Sequence, residues 1–368
     1  MRTSKLLPTF ALVLSSSLLT LIVFFSLDFL AEKVNRLYFG AQPDRYVHIP
    51  ITEFHHDLAP NKSYVAHWGD REYKFFTNSL GLRDSSNREV PLQANHKRIL
   101  FVGDSMTEAL GIPYEQAFVG QIAAKLERNN IEVLNAGTVS YSALIYWKKT
   151  AYLIEKLGLS VDHVVVMIDI SDIYDSTTYT LDRHGNVISR RFRVRVLQFI
   201  HDNTIVCAQL SNLLYGYYNR AKYWNFEGNR EAQPSNVIAI NHHHSLWTVR
   251  DELYRSYGRV GLETESYNLG ELTKLLRKRG IKLTIAVYPW PDQIWHNDYN
   301  SRQVTHWESW ARENDVNFIN LFPAFFSGNT KNARKIIEEN YIPGDVHWNE
   351  KGHETAARHL LKFLANGE

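Results

Sequence analysis

Arg98-Ile-Leu-Phe-Val-Gly103-Asp104-Ser105 decides how this chain folds. A short apolar run ends in Gly-Asp-Ser and an amphipathic segment follows, the pattern of a buried strand that delivers a serine to the end of a sheet at the start of a helix. Backbone N–H groups at a helix start have no intrahelical acceptor and can hold an oxyanion. Outward from this point the chain alternates regularly. Strands are predicted at Ile99–Val102, Glu132–Asn135, Val164–Ile170, Ile281–Tyr288 and Phe318–Leu321. Helices are predicted at Phe118–Arg128, Ser142–Lys156, about Leu269–Arg279, about Arg302–Glu313 and Asn349–Leu364. Strands alternating with helical segments predict an α/β fold: a parallel five-stranded sheet covered on both faces. Right-handed crossovers then bring the strand C-termini to one edge, where ligands bind.

Far downstream, Gly344-Asp345-Val346-His347-Trp348-Asn349 precedes the last predicted helix. A serine hydroxyl is unreactive at neutral pH and needs an adjacent base. Ser105 is the candidate nucleophile and His347 the candidate base. Asp345 lies two residues before His347, and in an extended segment such side chains share a face, so its carboxylate can orient the imidazole. His353 is read as a packing residue and Asp104 as a helix cap. His242-His243-His244 are three adjacent residues that cannot easily converge on one ion, and they are read as a solvated loop. A nucleophile, a base and an orienting acid need no metal or organic cofactor, and none is expected.

The chain has 368 residues, 44% apolar and 22% charged, enough for one large domain or two smaller ones. A net charge of +2 gives no basis for a nucleic-acid partner, and the single Cys207 excludes an intramolecular disulfide and a cysteine metal cluster. From Leu6 to Leu30 the only charge is Asp28. About 20 apolar residues cross a bilayer. Arg2 and Lys5 in front of them predict a cytoplasmic N-terminus and an extracytoplasmic remainder. Residues 1–30 are therefore read as a transmembrane anchor, with a cleaved signal peptide as the rival.

Residues 31–96, with Pro43, Pro50, Pro60 and Pro91, form a lead-in of short strands and loops packed on the main domain at 97–368. The alternation breaks at about 175–262. This stretch holds a hairpin-like Leu181–Ile188, a basic run at Arg190, Arg191, Arg193 and Arg195, and aromatic helical pieces, and it is read as a helical insertion at the functional edge. Tyr288-Pro-Trp290-Pro-Asp292-Gln293 follows the fourth strand. Trp290, Asp292 and Gln293 are thus candidate substrate contacts, with Trp290 either stacking on a sugar ring or filling the core.

The Gly103-Asp104-Ser105 block, with Asp and His ahead of the final helix, resembles the SGNH/GDSL hydrolase superfamily over about Lys97 to Leu364. The resemblance implies a three-layer α/β/α flavodoxin-like sandwich and serine-dependent acyl-ester chemistry. It implies that Ser105 supplies both the nucleophile and an oxyanion-hole N–H. Ser140, in Asn135-Ala-Gly137-Thr-Val-Ser140, stands at the family's glycine position, with Gly137 as a nearby alternative. Ser171, in Asp169-Ile-Ser171-Asp172, stands where the family has asparagine. The Asp345-Val-His347 spacing departs from the usual Asp-x-x-His and looks like the branch that O-acetylates exopolysaccharides.

The leading expectation is a membrane-anchored extracytoplasmic serine esterase acting on acyl esters of a glycan through Ser105, His347 and Asp345. An O-acetyltransferase with the same triad is the alternative. A non-catalytic glycan-binding envelope protein, suggested by Ser140 and Ser171, is a third.

Overall fold

The computed structural model describes residues 6–39, 47–190, 204, 206, 238–326 and 332–364. The chain divides into two compact units, residues 1–45 with 191–233 and residues 46–190 with 234–368. Arg191, Arg193 and Arg195 of the basic run lie outside the described residues.

In the first unit, α1 (Leu6–Phe39) is 34 residues long, so the helix runs past the expected boundary at Leu30. Its segment Leu14–Val34 has a mean hydropathy of 1.9 over 21 residues and is almost wholly exposed. At 1.5 Å per residue that is about 30 Å, the thickness of a bilayer's hydrocarbon core. Asp28 and Glu32, one turn apart and so on one face, are the buried acids of this helix. Asp28 accepts a hydrogen bond from the Val206 N–H at 2.9 Å.

The second unit begins with the lead-in strands β1 (His48–Ile51), β2 (His55–Leu58), β3 (Ser63–Trp68), β4 (Arg71–Thr77) and β5 (Arg83–Asp84). The alternation follows: β6 (Lys97–Gly103), α2 (Phe118–Leu126), β7 (Ile131–Asn135), α3 (Ala143–Ala151) and β8 (His163–Ile168). A small antiparallel hairpin, β9 (Tyr179–Leu181) and β10 (Val187–Ser189), comes next. The remainder is α4 (Arg259–Lys278), β11 (Lys282–Val287), α5 (Arg302–Glu313), β12 (Asn317–Asn320), α6 (Ala333–Asn340) and α7 (Glu350–Leu364).

The main sheet has eight strands in the order β12-β11-β8-β6-β7-β5-β4-β3. The expected five parallel strands are its β12-to-β7 portion. The expectation of a purely parallel five-stranded sheet is corrected by β5, β4 and β3, which extend it antiparallel from β7. The reason lies in the lead-in itself. Gly69, at φ +57°, makes the tight turn between β3 and β4, and alternate Tyr73 and Phe75 bury one face. The order of the parallel strands reverses at β6, with β7 on one side and β8 on the other. Right-handed crossovers therefore send α2 to one face and α3 to the other. In keeping with this, α2 packs on α7 and α3 packs on α4.

The central strands are buried along their length, Leu100–Val102 in β6 and Val164–Ile168 in β8. Helix α4 begins ten residues before its expected start because its apolar stripe, Leu262, Leu269, Leu272 and Leu276, is interrupted by a buried Glu265. That carboxylate accepts the Ala143 N–H at 2.8 Å and so caps α3. Helix α3 is shorter than expected, passing into a π-helical turn at Tyr152–Lys156 before Gly158 at φ +78°.

One buried ion pair ties the lead-in to the α/β core. Lys149 Nζ in α3 donates to Asp57 Oδ1 in β2 at 2.6 Å, and to Ala136 O and Thr138 Oγ1 at 3.0 and 3.2 Å. Burial pushes the Asp57 carboxyl up and the Lys149 ammonium down, against their mutual attraction. Breaking such a pair strands the other charge, whereas removing both is nearly neutral. Lys149→Met is expected to cost about 3 kcal/mol or more in urea unfolding, and Asp57→Leu in the same chain to recover most of it.

Candidate active site

Gly103 ends β6 because a Cβ there would lie 2.0 Å from Thr107 Oγ1. Asp104 then turns the chain, its carboxylate accepting the Met106 N–H at 3.0 Å, and Ser105 opens a helical turn running to Glu108. The Ser105 N–H has no acceptor among the described residues. On the other side of the site, Gly344 at φ +72° begins a tight turn. The bridge between Tyr341 and Trp348 and the bond from Ile342 N to His347 O at 2.9 Å close it. Asn349 caps α7 beyond, accepting from Lys351 N at 2.9 Å and Gly352 N at 3.1 Å.

This turn places His347 Nε2 2.9 Å from Ser105 Oγ, across 242 residues of sequence. His347 Nδ1 is 2.7 Å from Asp345 Oδ1. A carboxylate only accepts, so Nδ1 carries the proton and Nε2 is left to accept from the serine. The second Asp345 oxygen accepts the indole N–H of Trp68 from β3, whose ring stands edge-on to His347 at 5.2 Å. Burial alone would raise Asp345, but the hydrogen bond and charge of His347 and the Trp68 N–H outweigh it and hold the carboxyl down at about 2.

Behind the serine lie three buried carboxyl groups, Asp104, Asp169 and Asp172, with oxygens within 4.8 Å of one another. Among the described residues this is the group whose spacing could suit a cation. Asp169, however, is already saturated. Its Oδ1 accepts from Ser171 N and Oγ at 2.7 and 2.6 Å, and its Oδ2 from Tyr288 Oη and Trp290 Nε1, both at 2.7 Å. Four donors fill the carboxylate's four lone-pair positions. Burial, and then the charge of Asp169, push Asp104 well above the usual carboxylate range; burial and Asp104 do the same to Asp172. The cluster is a buried, hydrogen-bonded wall.

Several sequence expectations are corrected here. Trp290 is no exposed platform: it is buried and spends its N–H on Asp169. Asp292 is buried and holds the loop at 241–245, accepting from Asn241 N, from His242 N at 2.9 Å and from Ser245 Oγ at 2.6 Å. Gln293 is buried too, bonded to Trp290 N, Ser301 Oγ and Gln303. All three build the scaffold rather than a substrate surface. Gly137 gives its N–H to Asn135 Oδ1 at 3.0 Å, and a Cβ there would sit 2.6 Å from the Glu108 N, so it is a close-packing glycine and its N–H is already used. Ser171 commits both of its donors to Asp169. Ser140 is different: it has φ +59°, and its N–H has no partner among the described residues.

The histidine loop is exposed at His242 and His243, as expected, yet its rings are in contact with neighbours, His242 with Trp290 and His244 stacked on Tyr174 at 4.1 Å. His353 is buried in the core, where its Nδ1 accepts the Phe118 N–H at 3.2 Å. Trp68 is the site residue that the sequence does not reveal, because its reach depends on β3 joining the far edge of the sheet. Arg83 also escaped notice. It is fully buried over the Phe75 ring, and it donates to Glu108 O and Ile112 O at 2.7 and 2.6 Å, which fixes the segment after the serine turn.

No family model and no curated protein matches this sequence. Among solved structures the chain is similar to an acetylxylan esterase from Geobacillus stearothermophilus, at 13% identity and TM-score 0.39, covering 74% of this chain and 95% of that one. It is similar to a GDSL-like lipase from Bacteroides thetaiotaomicron, at 11% identity and TM-score 0.39, covering 76% and 93%. It is also similar to a psychrotrophic esterase from Pseudoalteromonas, at 11% identity and TM-score 0.37, covering 73% and 100%. The likeness is distant.

The depressed Asp345 carboxyl has a thermodynamic signature. A group whose folded pKa lies below its unfolded one stabilises the fold above the unfolded value and loses that contribution as the pH falls through the folded value. A drop from 3.8 to about 2 is worth about 2 kcal/mol. Urea unfolding across an acid series is expected to show this loss between pH 4 and pH 2, and Asp345→Asn to flatten that arm of the profile.

Proposed function

We propose that this chain is a serine esterase that cleaves acyl esters through an acyl-enzyme on Ser105. The observation that carries the reading is the continuous hydrogen-bonded chain Ser105 Oγ–His347 Nε2 at 2.9 Å and His347 Nδ1–Asp345 Oδ1 at 2.7 Å. As the Ser105 oxygen attacks the acyl carbonyl, His347 takes its proton, and Asp345 stabilises the imidazolium. His347 then returns the proton to the departing alcohol. Water, deprotonated by His347, then attacks the acyl-serine; the bond from the acyl carbon to Ser105 Oγ breaks, the carboxylic acid leaves, and His347 returns the proton to Oγ.

The N–H groups of Ser105 and Ser140, which have no partner among the described residues, are the donors for the tetrahedral oxyanion. Ser171, tied to Asp169, contributes no third donor. The substrate class is an acyl ester, an acetyl group on a glycan being the leading case. The apolar span Leu14–Val34 serves as the anchor that keeps the catalytic unit on the extracytoplasmic side. Ser105→Ala is expected to reduce release of p-nitrophenol from p-nitrophenyl acetate by about a thousandfold or more. Unchanged turnover removes the proposed nucleophile.

A second reading keeps the acyl-enzyme and replaces water by a sugar hydroxyl. The Asp345-Val-His347 spacing favours it, since that spacing resembles the polysaccharide O-acetylating branch. The two readings separate by partition: with an acetyl donor and a xylo-oligosaccharide present, a transferase acetylates the sugar faster than it releases acetate. Mass spectrometry that finds only free acetate leaves the esterase.

A further inference from the structure

The lead-in hairpin reaches a part of the site that the α/β core alone leaves loose. The chain from Ala136 to Ser140 is zipped to β6 by Ala136 N to Phe101 O at 2.8 Å and Thr138 N to Gly103 O at 3.1 Å. It therefore runs beside the strand that ends at Ser105. Past Thr138 no sheet bond among the described residues holds it, and side chains take over. Val139 N donates to Glu108 Oε2 at 2.7 Å, and His48 from β1 lies 3.3 Å from the same oxygen. Val139 O lies 2.8 Å from Nε2 of His56, in β2. Tyr179 Oη, in β9, donates to Ser140 O at 3.1 Å.

The bond to Val139 O matters most because that carbonyl and the Ser140 N–H belong to one peptide plane. In a trans peptide the two point in opposite directions. A donor fixed on the carbonyl therefore sets where the N–H points, and by polarising the peptide it also makes that N–H a stronger donor. Ser140 itself sits in the left-handed region at φ +59°, a conformation that a non-glycine residue holds only when its surroundings impose it.

From this we infer that His56 is a positioning residue for the reaction: it aims the Ser140 N–H at the oxyanion, and His55 sets the tautomer that allows it to. The inference rests on the esterase reading above. A carbonyl accepts only, so His56 Nε2 must carry the proton and Nδ1 must be bare. His55 Nδ1, 2.8 Å from His56 Nδ1, donates to it and completes the assignment. His55 holds φ +80° to do so, its ring edge-on to Tyr179. The His56 ring is likewise edge-on to Tyr141, whose hydroxyl donates to His56 O at 2.7 Å. Burial pushes the His56 imidazole down to about 3, with His55 adding to it, so the neutral donor form persists across any esterase assay.

Methionine and glutamine have nearly the same shape, and at position 56 they differ in whether a donor faces Val139 O. His56→Met is expected to lower kcat on p-nitrophenyl acetate by about tenfold or more, with KM within about twofold. His56→Gln is expected to keep kcat within about threefold of the unsubstituted protein. A methionine variant with undiminished kcat overturns the inference, as does a folded glutamine variant that loses about tenfold or more. The glutamine result stands alone if methionine prevents folding. Ser105→Ala is run beside them: if it retains activity, the esterase reading itself falls, whereas an inactive Ser105→Ala beside an unaffected His56→Met removes only the role of His56.

Discussion

The 2.7 Å bond between His347 Nδ1 and Asp345 decides which imidazole nitrogen faces Ser105, and the rest of the arrangement serves to keep it. The acid that makes it is two residues from the histidine, so the pair is set by one tight turn at Gly344 rather than by distant packing. Its electrostatic quality is set from outside that turn. The Trp68 N–H on the second oxygen removes the need for water there and holds the carboxylate ionised and pointed. The orienting acid is thus assembled from two ends of the chain, a turn before α7 and the last residue of β3.

This distribution changes what the lead-in is for. Strands β3 to β5 extend the sheet, and side chains from them and from β2 also act at the site. Trp68 braces the acid, Arg83 pins the backbone after the serine turn, and Asp57 with Lys149 holds the base of the loop that carries Ser140. The proposed constellation of Ser105, His347 and Asp345 comes from the α/β core, while Trp68, Arg83 and Asp57, which brace it, come from residues 48–84. The acidic wall of Asp104, Asp169 and Asp172 plays a comparable part from behind. Its hydrogen-bond donors Tyr146, Tyr288 and Trp290 tie it to α3 and to the segment that follows β11.

The core of the fold was legible because its signals are local and periodic. The strand ending in Gly103-Asp104-Ser105 and the Asp345-Val-His347 turn announce themselves within a few residues, and α5 at Arg302–Glu313 matches its predicted bounds. What failed to show in the sequence depends on tertiary pairing. Nothing in Ser63–Trp68 says that it will reach the sheet's far edge, so Trp68 stays invisible. Glu265 interrupts an apolar stripe and hides the first half of α4, because a buried carboxyl that caps another helix looks like a surface residue. Trp290 invited a role at the surface because an indole after a strand end can serve either core or ligand, and only the acceptor on Asp169 settles which. Ser171 shows the same ambiguity, a hydroxyl whose partner is two residues away rather than in a substrate.

The antiparallel extension has one more consequence, for anyone who would trim this molecule to its α/β core. A fragment cut at Lys97 would retain the serine, the histidine and the aspartate, yet it would bare the flank of β7 where β5 now begins its pairing at Asn135. An uncovered strand flank recruits other polypeptides. Such a fragment would face self-association before its chemistry could be judged, and the small size of the contact, a single residue pair, belies its value as a seam.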